Sequence, residues 1–146
     1  MEISDKIIQA LPYGNTFRFV DSIERVDEDT IIGNYTYKED LPFYHSHFQG
    51  NPIVPGVIII ETMGQIGMVC HLIYLSNDYS LSTLPLLSNL EAEFYCNANY
   101  NEPIKVIGRK IYFRRNILKS SIEMRKLDDT LIATLTAYIS KMPKCQ

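Results

Sequence analysis

The sequence has few cysteines and lacks the short motifs of several common enzyme classes. Its three cysteines, Cys70, Cys96 and Cys145, show no paired spacing. Two of them lie in apolar segments, so we expect small core residues in a reducing compartment rather than a disulfide framework. A glycine-rich phosphate loop, a Cys-x-x-Cys pair and a serine at a strand–turn–helix elbow are all missing. These absences argue against the corresponding nucleotide, redox and serine-nucleophile sites.

A cleavable apolar leader is also missing. The start, MEISDKIIQALPYG, carries acidic residues early, which predicts a cytoplasmic protein. The run Val57–Leu75 is nearly long enough to span a bilayer, but it contains Glu61, Gln65 and His71. Because a carboxylate at the bilayer midplane is costly, we expect no membrane span.

The bulk composition is that of one globular domain. The chain has 146 residues, of which 46% are hydrophobic and 21% charged, and it shows no repeat or interdomain linker. We therefore expect a single domain over residues 1–146, with a core of its own.

The net charge of −3 hides an uneven distribution. Residues 105–126 contain eight basic residues and one acidic residue. This pattern is typical either of a solvated strand face or of a docking patch for an acidic partner, for which Arg109, Lys110, Arg114 and Arg115 are the candidates. Nucleic acid is not expected as a partner, because the chain as a whole is acidic.

Hydrophobic periodicity predicts an α+β fold with one long helix. We expect helices at about Ile3–Ala10 and Pro55–Leu75, and strands at about Phe17–Val26, Thr30–Lys38, Leu90–Cys96, Pro103–Phe113, Leu118–Arg125 and Thr130–Ser140. Short turns at "RRN" and Asp128-Asp129 indicate antiparallel hairpins. The long helix is apolar nearly all round, so we predict an antiparallel sheet of five to seven strands that curls around it and buries it.

Glu61 is an acidic residue in a helix that is otherwise mostly apolar and expected to be buried. On a helical wheel Glu61 and Gln65 lie one turn apart on one stripe, with Gly64 beside them leaving room for close approach. A lone carboxyl in apolar surroundings either has a distant partner, is held neutral, or faces a cavity that a substrate fills. The last case predicts a functional site.

His47 precedes the helix in a loop rich in glycine and proline. The steps Gly50–Pro52 and Pro55-Gly56 can fold this loop back over the helix start, where Gly56 and Val57 present free N–H groups at the positive end. An imidazole, a carboxyl and a pair of amides aimed at a carbonyl form a proton-transfer site. A metal site of His45, His47 and Glu61 is the alternative, but no other ligand cluster supports it, so no metal is expected.

With these residues together, the chain resembles the beta-hydroxyacyl-[acyl-carrier-protein] dehydratases of the hotdog superfamily. The family signature is His-Phe-Pro-Gly-x-Pro, then Pro-Gly-Val, then a helix with Glu and, one turn later, Gln. Here it reads HFQGNPIVPGVIIIETMGQ. The upstream pattern Leu-Pro…Phe-x-x-Val-Asp is matched by LPYGNTFRFVDSI, and the resemblance covers roughly residues 8–70 well.

The resemblance implies a function and a role for each matched residue. His47 would be the catalytic imidazole, Glu61 the catalytic acid, Gln65 the residue that orients it, and Gly56, with Val57, the amides that polarise the thioester carbonyl. Because the related isomerising branch has Asp at the Glu61 position, the resemblance implies the branch that only dehydrates.

The resemblance further implies an assembly and a partner. In the family two protomers form a double-hotdog dimer whose sites combine His from one chain with the acid of the other, and many members form hexamers. The substrate would arrive on the phosphopantetheine arm of acyl-carrier protein, an acidic partner for the basic strands, and no other cofactor is implied.

Two departures from the family pattern keep alternatives open. Gln49 replaces the proline next to His47, which removes one φ restraint, and NANYNEPIKV replaces an expected Pro-Gly-Asp turn. The alternatives are a hotdog acyl thioesterase and a catalytically silent subunit that binds acyl chains or scaffolds a dehydratase. Acyl chain length and pathway do not follow from the sequence.

Overall fold

A computed structural model describes residues 1–40, 53–80 and 83–143 of the protein. In order, its elements are α1 (Ile3–Gln9), a 3₁₀ turn (Asn15–Phe17), β1 (Ser22–Val26), β2 (Thr30–Thr36), α2 (Gly56–Ser76), β3 (Thr83–Phe94), β4 (Pro103–Arg114), β5 (Ile117–Lys126) and β6 (Leu131–Pro143). Within these ranges, the predicted long helix and every predicted strand region are present.

The strands of the described residues form one sheet in the order β1-β2-β4-β5-β6-β3, and all neighbours are antiparallel. The two predicted hairpin turns are also confirmed. Arg115 and Asn116, with φ of 53° and 61°, join β4 to β5; two successive positive φ angles match the twist of flanking strands. Asp129, with φ of 71°, lies in the turn between β5 and β6.

Helix α2 packs against one face of this sheet, in contact with β2, β4, β5 and β6. Glycines permit the closest approach. A Cβ at Gly108 of β4 would lie 2.8 Å from the carbonyl oxygen of Gly67, and a Cβ at Gly67 would lie 2.9 Å from the Ile122 side chain of β5. Helix and sheet backbones therefore meet where side chains would keep them apart, and the α+β prediction is confirmed.

Two strands differ from their predicted extent. β1 begins at Ser22 instead of Phe17, because the backbone at Phe17 and Phe19 bonds a side chain of α2 instead of a strand. β3 begins at Thr83 instead of about Leu90; among the described strands it lies at the sheet edge and pairs with β6 alone. Its expected half-buried alternation is wrong for the protomer, since Leu90 and Phe94 are 39% and 49% exposed.

The length and composition of α2 would allow it to cross a membrane, and it is the one such helix in the described ranges. In the fold it is the central core helix: 67% of its most apolar window is buried inside the protein.

Candidate active site

The start of α2 presents backbone amides. Pro55 is the N-cap, its carbonyl accepts from the N–H groups of Ile58 and Ile59, and Gly56 is the first helical residue. The first amides of any helix lack intrahelical acceptors, and the Gly56 and Val57 amides have no backbone acceptor among the described residues. The Phe94 ring covers Gly56 so closely that a Cβ there would lie 3.3 Å from it. The role of these two amides in polarising a thioester carbonyl stays a prediction.

Glu61 and Gln65 are in direct contact, as their spacing predicts. Glu61 is half-buried, and its Oε2 accepts a hydrogen bond from Nε2 of Gln65 at 3.0 Å. By the helical rise, the carboxyl lies about 7.5 Å further along the helix axis than Gly56. The predicted acid and the predicted oxyanion donors thus occupy the same end of α2.

Gln65 is held from the far side as well. Its side chain is fully buried; Oε1 accepts from the Phe19 N–H at 2.8 Å, and Nε2 donates to the Phe17 carbonyl at 2.9 Å. Because the Phe19 amide can only donate, the side-chain oxygen must face it and the NH₂ group must face Glu61. The segment before β1 therefore fixes how Gln65 meets the carboxyl.

A cavity of about 150 Å³ lies beside Glu61, between α2 and the strands β3 and β6. Apart from Glu61 and Tyr13 its walls are apolar, and they include Gly64, Met68, Leu90 and Leu135. A Cβ at Gly64 would meet nothing within 4 Å. The prediction that Glu61 faces a cavity and that Gly64 leaves room is consistent with this geometry.

Tyr13 is the residue that the sequence analysis missed. It lines the cavity with Glu61, its ring packs on Phe17 at a centroid distance of 6.3 Å, and its pKa is raised by burial and by the charge of Glu61. The phenol is thus a permanent donor near neutral pH. The available signal was its place in the LPYGNTFRFVDSI segment, but nothing in one sequence distinguishes it from nine other tyrosines.

The middle of α2, directly after the site residue Glu61 and its turn, is a π-helical segment, Gln65–Cys70. Such segments are rare and occur often at functional sites. Nothing in the residue pattern predicted it. It begins at Gln65, so the regular α-helical spacing that joins Glu61 to Gln65 ends at the residue that orients the carboxyl.

The remaining residues singled out in the sequence are the loop residues before α2, the metal-site candidates, and Cys70 and His71 within α2. His47, His45 and Gln49 lie outside the described residues, so the proton-transfer prediction for His47 stays a prediction. Within the described ranges no group of three or more metal-ligating side chains is found. Cys70 is buried, as expected for a small core residue, and burial raises its thiol pKa; His71 is buried as well.

The predicted docking residues differ in their electrostatic surroundings. Arg109 pairs with Glu123 at 3.2 Å and Lys110 with Glu28 at 3.5 Å. Arg114 instead lies over the Tyr112 ring at 4.5 Å, and Arg115 is exposed in the hairpin turn. Lys119, the next basic residue, lies over the Tyr138 ring at 4.9 Å.

The basic side chains therefore differ in whether a carboxylate neutralises their charge. Among the described residues no carboxylate pairs with Arg114, Arg115 or Lys119, and the remaining residues, 41–52, 81–82 and 144–146, contain no Asp or Glu. Of the predicted docking residues, Arg114 and Arg115 at the β4–β5 hairpin therefore keep their positive charge uncompensated, whereas Arg109 and Lys110 do not.

A family model and several curated relatives match this chain, and they agree on the family. The family model described as "FabA-like domain" matches residues 11–128. A 3-hydroxyacyl-[acyl-carrier-protein] dehydratase FabZ from Wolbachia sp. is 42% identical over 127 residues, covering 85% of this chain and 80% of that protein. The FabZ from Caldicellulosiruptor bescii is 42% identical over 72 residues, 47% of this chain. In that match and similar ones the chain spans about half the length of the relative.

Solved structures share the fold. The dehydratase heterocomplex ApeI:P from Xenorhabdus doucetiae matches with a TM-score of 0.78 at 12% identity, over 94% of this chain and 91% of that one. A hypothetical thioesterase with coenzyme A from Streptococcus pneumoniae matches with a TM-score of 0.63 at 9% identity, over 85% and 87%. The predicted hotdog architecture, an antiparallel sheet with one central helix, is confirmed.

Proposed function

Because the chain belongs to the FabA-like domain family, we propose that it dehydrates a β-hydroxyacyl thioester on acyl-carrier protein to the trans-2-enoyl thioester. The observation that carries this proposal is the Glu61 carboxyl, oriented by Gln65, on the wall of an apolar cavity at the amide end of α2. This arrangement supplies one proton donor and two amide donors beside space for an acyl chain.

The reaction follows from these groups. The Gly56 and Val57 amides would bind the thioester carbonyl and stabilise the enolate charge that develops on its oxygen. His47 would remove the α-proton, and Glu61 would protonate the β-hydroxyl, which leaves as water while the double bond forms between the α and β carbons. Transfer of the proton from His47 to Glu61, directly or through solvent, restores both groups. No step uses a metal, and the phosphopantetheine arm belongs to the substrate.

Gln65 determines which oxygen of Glu61 would carry the proton. Its NH₂ group donates to Oε2, so Oε2 serves as an acceptor and the transferable proton is assigned to Oε1. Two backbone bonds keep Gln65 from turning away. Gln65 is therefore proposed as a positioning residue rather than as a group that exchanges protons.

We propose that the acidic carrier docks at the β4–β5 hairpin. Arg114, Arg115 and Lys119 support this, since their charge is not neutralised by a described carboxylate. Arg109 and Lys110, predicted beside them, already pair with Glu123 and Glu28 and would contribute less. Attraction of this kind accelerates association more than it tightens the complex.

We propose that the working form is a homodimer in the cytoplasm, with a trimer of dimers as the larger assembly. The β3 edge supports pairing: no other described strand pairs with its outer edge, and Leu86, Leu87, Leu90 and Phe94 are 39% to 53% exposed. An apolar edge strand of this length is a ready surface for a second copy.

The test is formation of the conjugated enoyl thioester, followed by its absorbance, from β-hydroxybutyryl-acyl-carrier protein. His47→Ala and Glu61→Gln should each lower the rate by on the order of two to four decades, because each removes an acid or base. Glu24→Gln, an exposed change on β1 away from the β3 edge, is the matched control and should leave the rate unchanged.

Three results would contradict the proposal. Turnover near the wild-type rate in Glu61→Gln or His47→Ala would remove that residue from the mechanism. Release of free thiol without enoyl product would identify a thioesterase. Carrier binding with no turnover of short or medium chains would favour the silent acyl-binding subunit.

A further inference from the structure

The cavity beside Glu61 extends along α2 toward the C-terminal end of the helix. Glu61, Gly64, Met68 and Val69 line it in that order. At the helical rise, Val69 lies about 12 Å beyond Glu61 along the axis. The cavity is thus elongated and directed away from the reacting groups, as a site for a linear chain would be.

A second, smaller cavity of about 20 Å³ adjoins the first. Val69 of α2 and Pro85 of β3 line both cavities. The side chain of Val69 is 93% buried, with only 7% exposed, so it is held by its neighbours. These two residues therefore form a neck between a proximal and a distal compartment.

An ion pair forms part of the wall of the distal compartment. Nζ of Lys141 lies 3.1 Å from Oδ2 of Asp78, and the two side chains are only 14% and 16% exposed. Both residues line this compartment, and the pair holds the pKa of Asp78 down at about 2. The apolar end of an acyl chain gains little binding free energy beside an ion pair. It would also desolvate the two charged groups, which is costly.

The volumes indicate how much chain the proximal compartment holds. A cavity of about 150 Å³ accommodates a six-carbon ring such as benzene, so about six carbon atoms fit between Glu61 and the neck. With the reacting carbons held at Glu61 and the amides, a β-hydroxyoctanoyl chain fills this space. A β-hydroxydodecanoyl chain would have to pass the neck and meet the Asp78–Lys141 pair.

We propose that Val69 and Pro85 limit acyl chain length, so that the enzyme prefers medium chains such as β-hydroxyoctanoyl and disfavours β-hydroxydodecanoyl. This inference rests on the proposed dehydratase function. It assigns specificity to residues outside the proton-transfer site.

The test compares kcat/KM for β-hydroxybutyryl, β-hydroxyoctanoyl and β-hydroxydodecanoyl thioesters on acyl-carrier protein. Each buried methylene strengthens binding by about fourfold, so an open tunnel would give a continuous rise with length. We expect a rise to octanoyl and a fall of about tenfold or more to dodecanoyl. Val69→Ala should raise the dodecanoyl-to-octanoyl ratio by about tenfold, because it widens the neck.

A second variant and a control separate the neck from general loosening. Val69→Leu should narrow the neck and lower the octanoyl-to-butyryl ratio. Ile66→Val removes a buried methyl from the side of α2 that packs on Gly33, and it should leave all ratios unchanged.

The outcomes distinguish the two proposals. If wild-type protein dehydrates none of the three thioesters, the proposed function fails. If it dehydrates them but dodecanoyl is turned over as well as octanoyl, the neck proposal is wrong. Ratios that stay at wild-type values in Val69→Leu and in folded Val69→Ala would also overturn it.

Discussion

At the scale of single residues, Gln65 joins the site to the fold. Its amide uses Oε1 for the Phe19 N–H and Nε2 for both the Phe17 carbonyl and Glu61. All three bonds are shielded or partly shielded from water. Losing such a bond is costly because it leaves a buried polar group without a partner. One side chain therefore closes the segment before β1 onto α2 and orients the carboxyl at the same time.

Replacing Gln65 with Met should reduce both stability and activity. The change leaves the Phe19 N–H and the Phe17 carbonyl without partners, so the free energy of unfolding in urea should fall by about 2–4 kcal/mol. Gln9→Met on α1, where Gln9 is exposed, should change it by less than about 0.5 kcal/mol. If folded Gln65→Met has wild-type kcat, orientation of Glu61 by Gln65 is not part of the mechanism.

Tyr13→Phe isolates the hydroxyl of the tyrosine that lines the cavity together with Glu61. The variant keeps the ring packed on Phe17, so stability should change by less than about 1 kcal/mol. Loss of one neutral donor in the cavity should lower kcat/KM by roughly tenfold. Tyr74→Phe, near the C-terminal end of α2 and outside the walls of both cavities, is the control; equal effects in both variants would show that the position of Tyr13 does not matter.

At the scale of elements, the glycines of α2 have two roles: one allows close packing on the sheet, and another leaves space at the cavity. Gly67 and Gly108 allow helix and sheet backbones to touch, whereas Gly64 faces open space on the cavity side. Gly64 has ordinary helical dihedrals, with φ of −66° and ψ of −43°. Its lack of a side chain is therefore not required by the backbone and is best explained by the space it leaves beside Glu61.

Gly64→Ala should separate stability from function. A Cβ at this position has no clash and alanine favours the helix, so the free energy of unfolding should rise by about 0.5–1 kcal/mol. The added methyl group enters the cavity next to Glu61, so KM for an acyl substrate should increase or kcat decrease. Gly108→Ala, which meets the Gly67 backbone, should instead destabilise. A more stable Gly64→Ala with unchanged kinetics would show that substrate does not occupy this space.

At the scale of the whole molecule, a buried histidine ties the β1–β2 turn to α2. Nε2 of His71 lies 2.8 Å from the Asp27 carbonyl oxygen, so the neutral ring donates there, while Nδ1 is buried with no partner among the described residues. Burial, first of all, and then Lys110 lower the pKa of His71, against the opposing effects of the Asp27 carbonyl and the charges of Asp27 and Glu28.

Stability should therefore fall as the pH decreases from about 6.5. Below this pH the unfolded chain binds a proton at His71 that the folded chain refuses, which favours unfolding. A second loss should follow as pH falls from about 4 toward 2, when Asp78 and Asp27, whose pKa values are lowered to about 2, are protonated. Urea unfolding of wild type and His71→Gln from pH 7.5 to 5 is the measurement; equal slopes would exclude His71 as the cause.

What the sequence determined by itself are the features that local chemistry controls. The long apolar helix, the two hairpin turns and the contact of Glu61 with Gln65 depend on residues near one another in the chain, where periodicity and turn preference act. The motif around Glu61 also led to the family. These predictions agree with the structure because the interactions concerned do not depend on distant segments.

The tertiary structure alone decided the features that join distant segments. The hydrogen bonds of Gln65 to the backbone of Phe17 and Phe19 join residues 48 and 46 positions apart in the sequence. The ion pair of Lys110 with Glu28 joins residues 82 positions apart. Neither these contacts nor Tyr13 at the cavity wall leave a periodic trace. The exposure of β3 likewise follows from its place at the sheet edge, which strand order sets and residue alternation cannot encode.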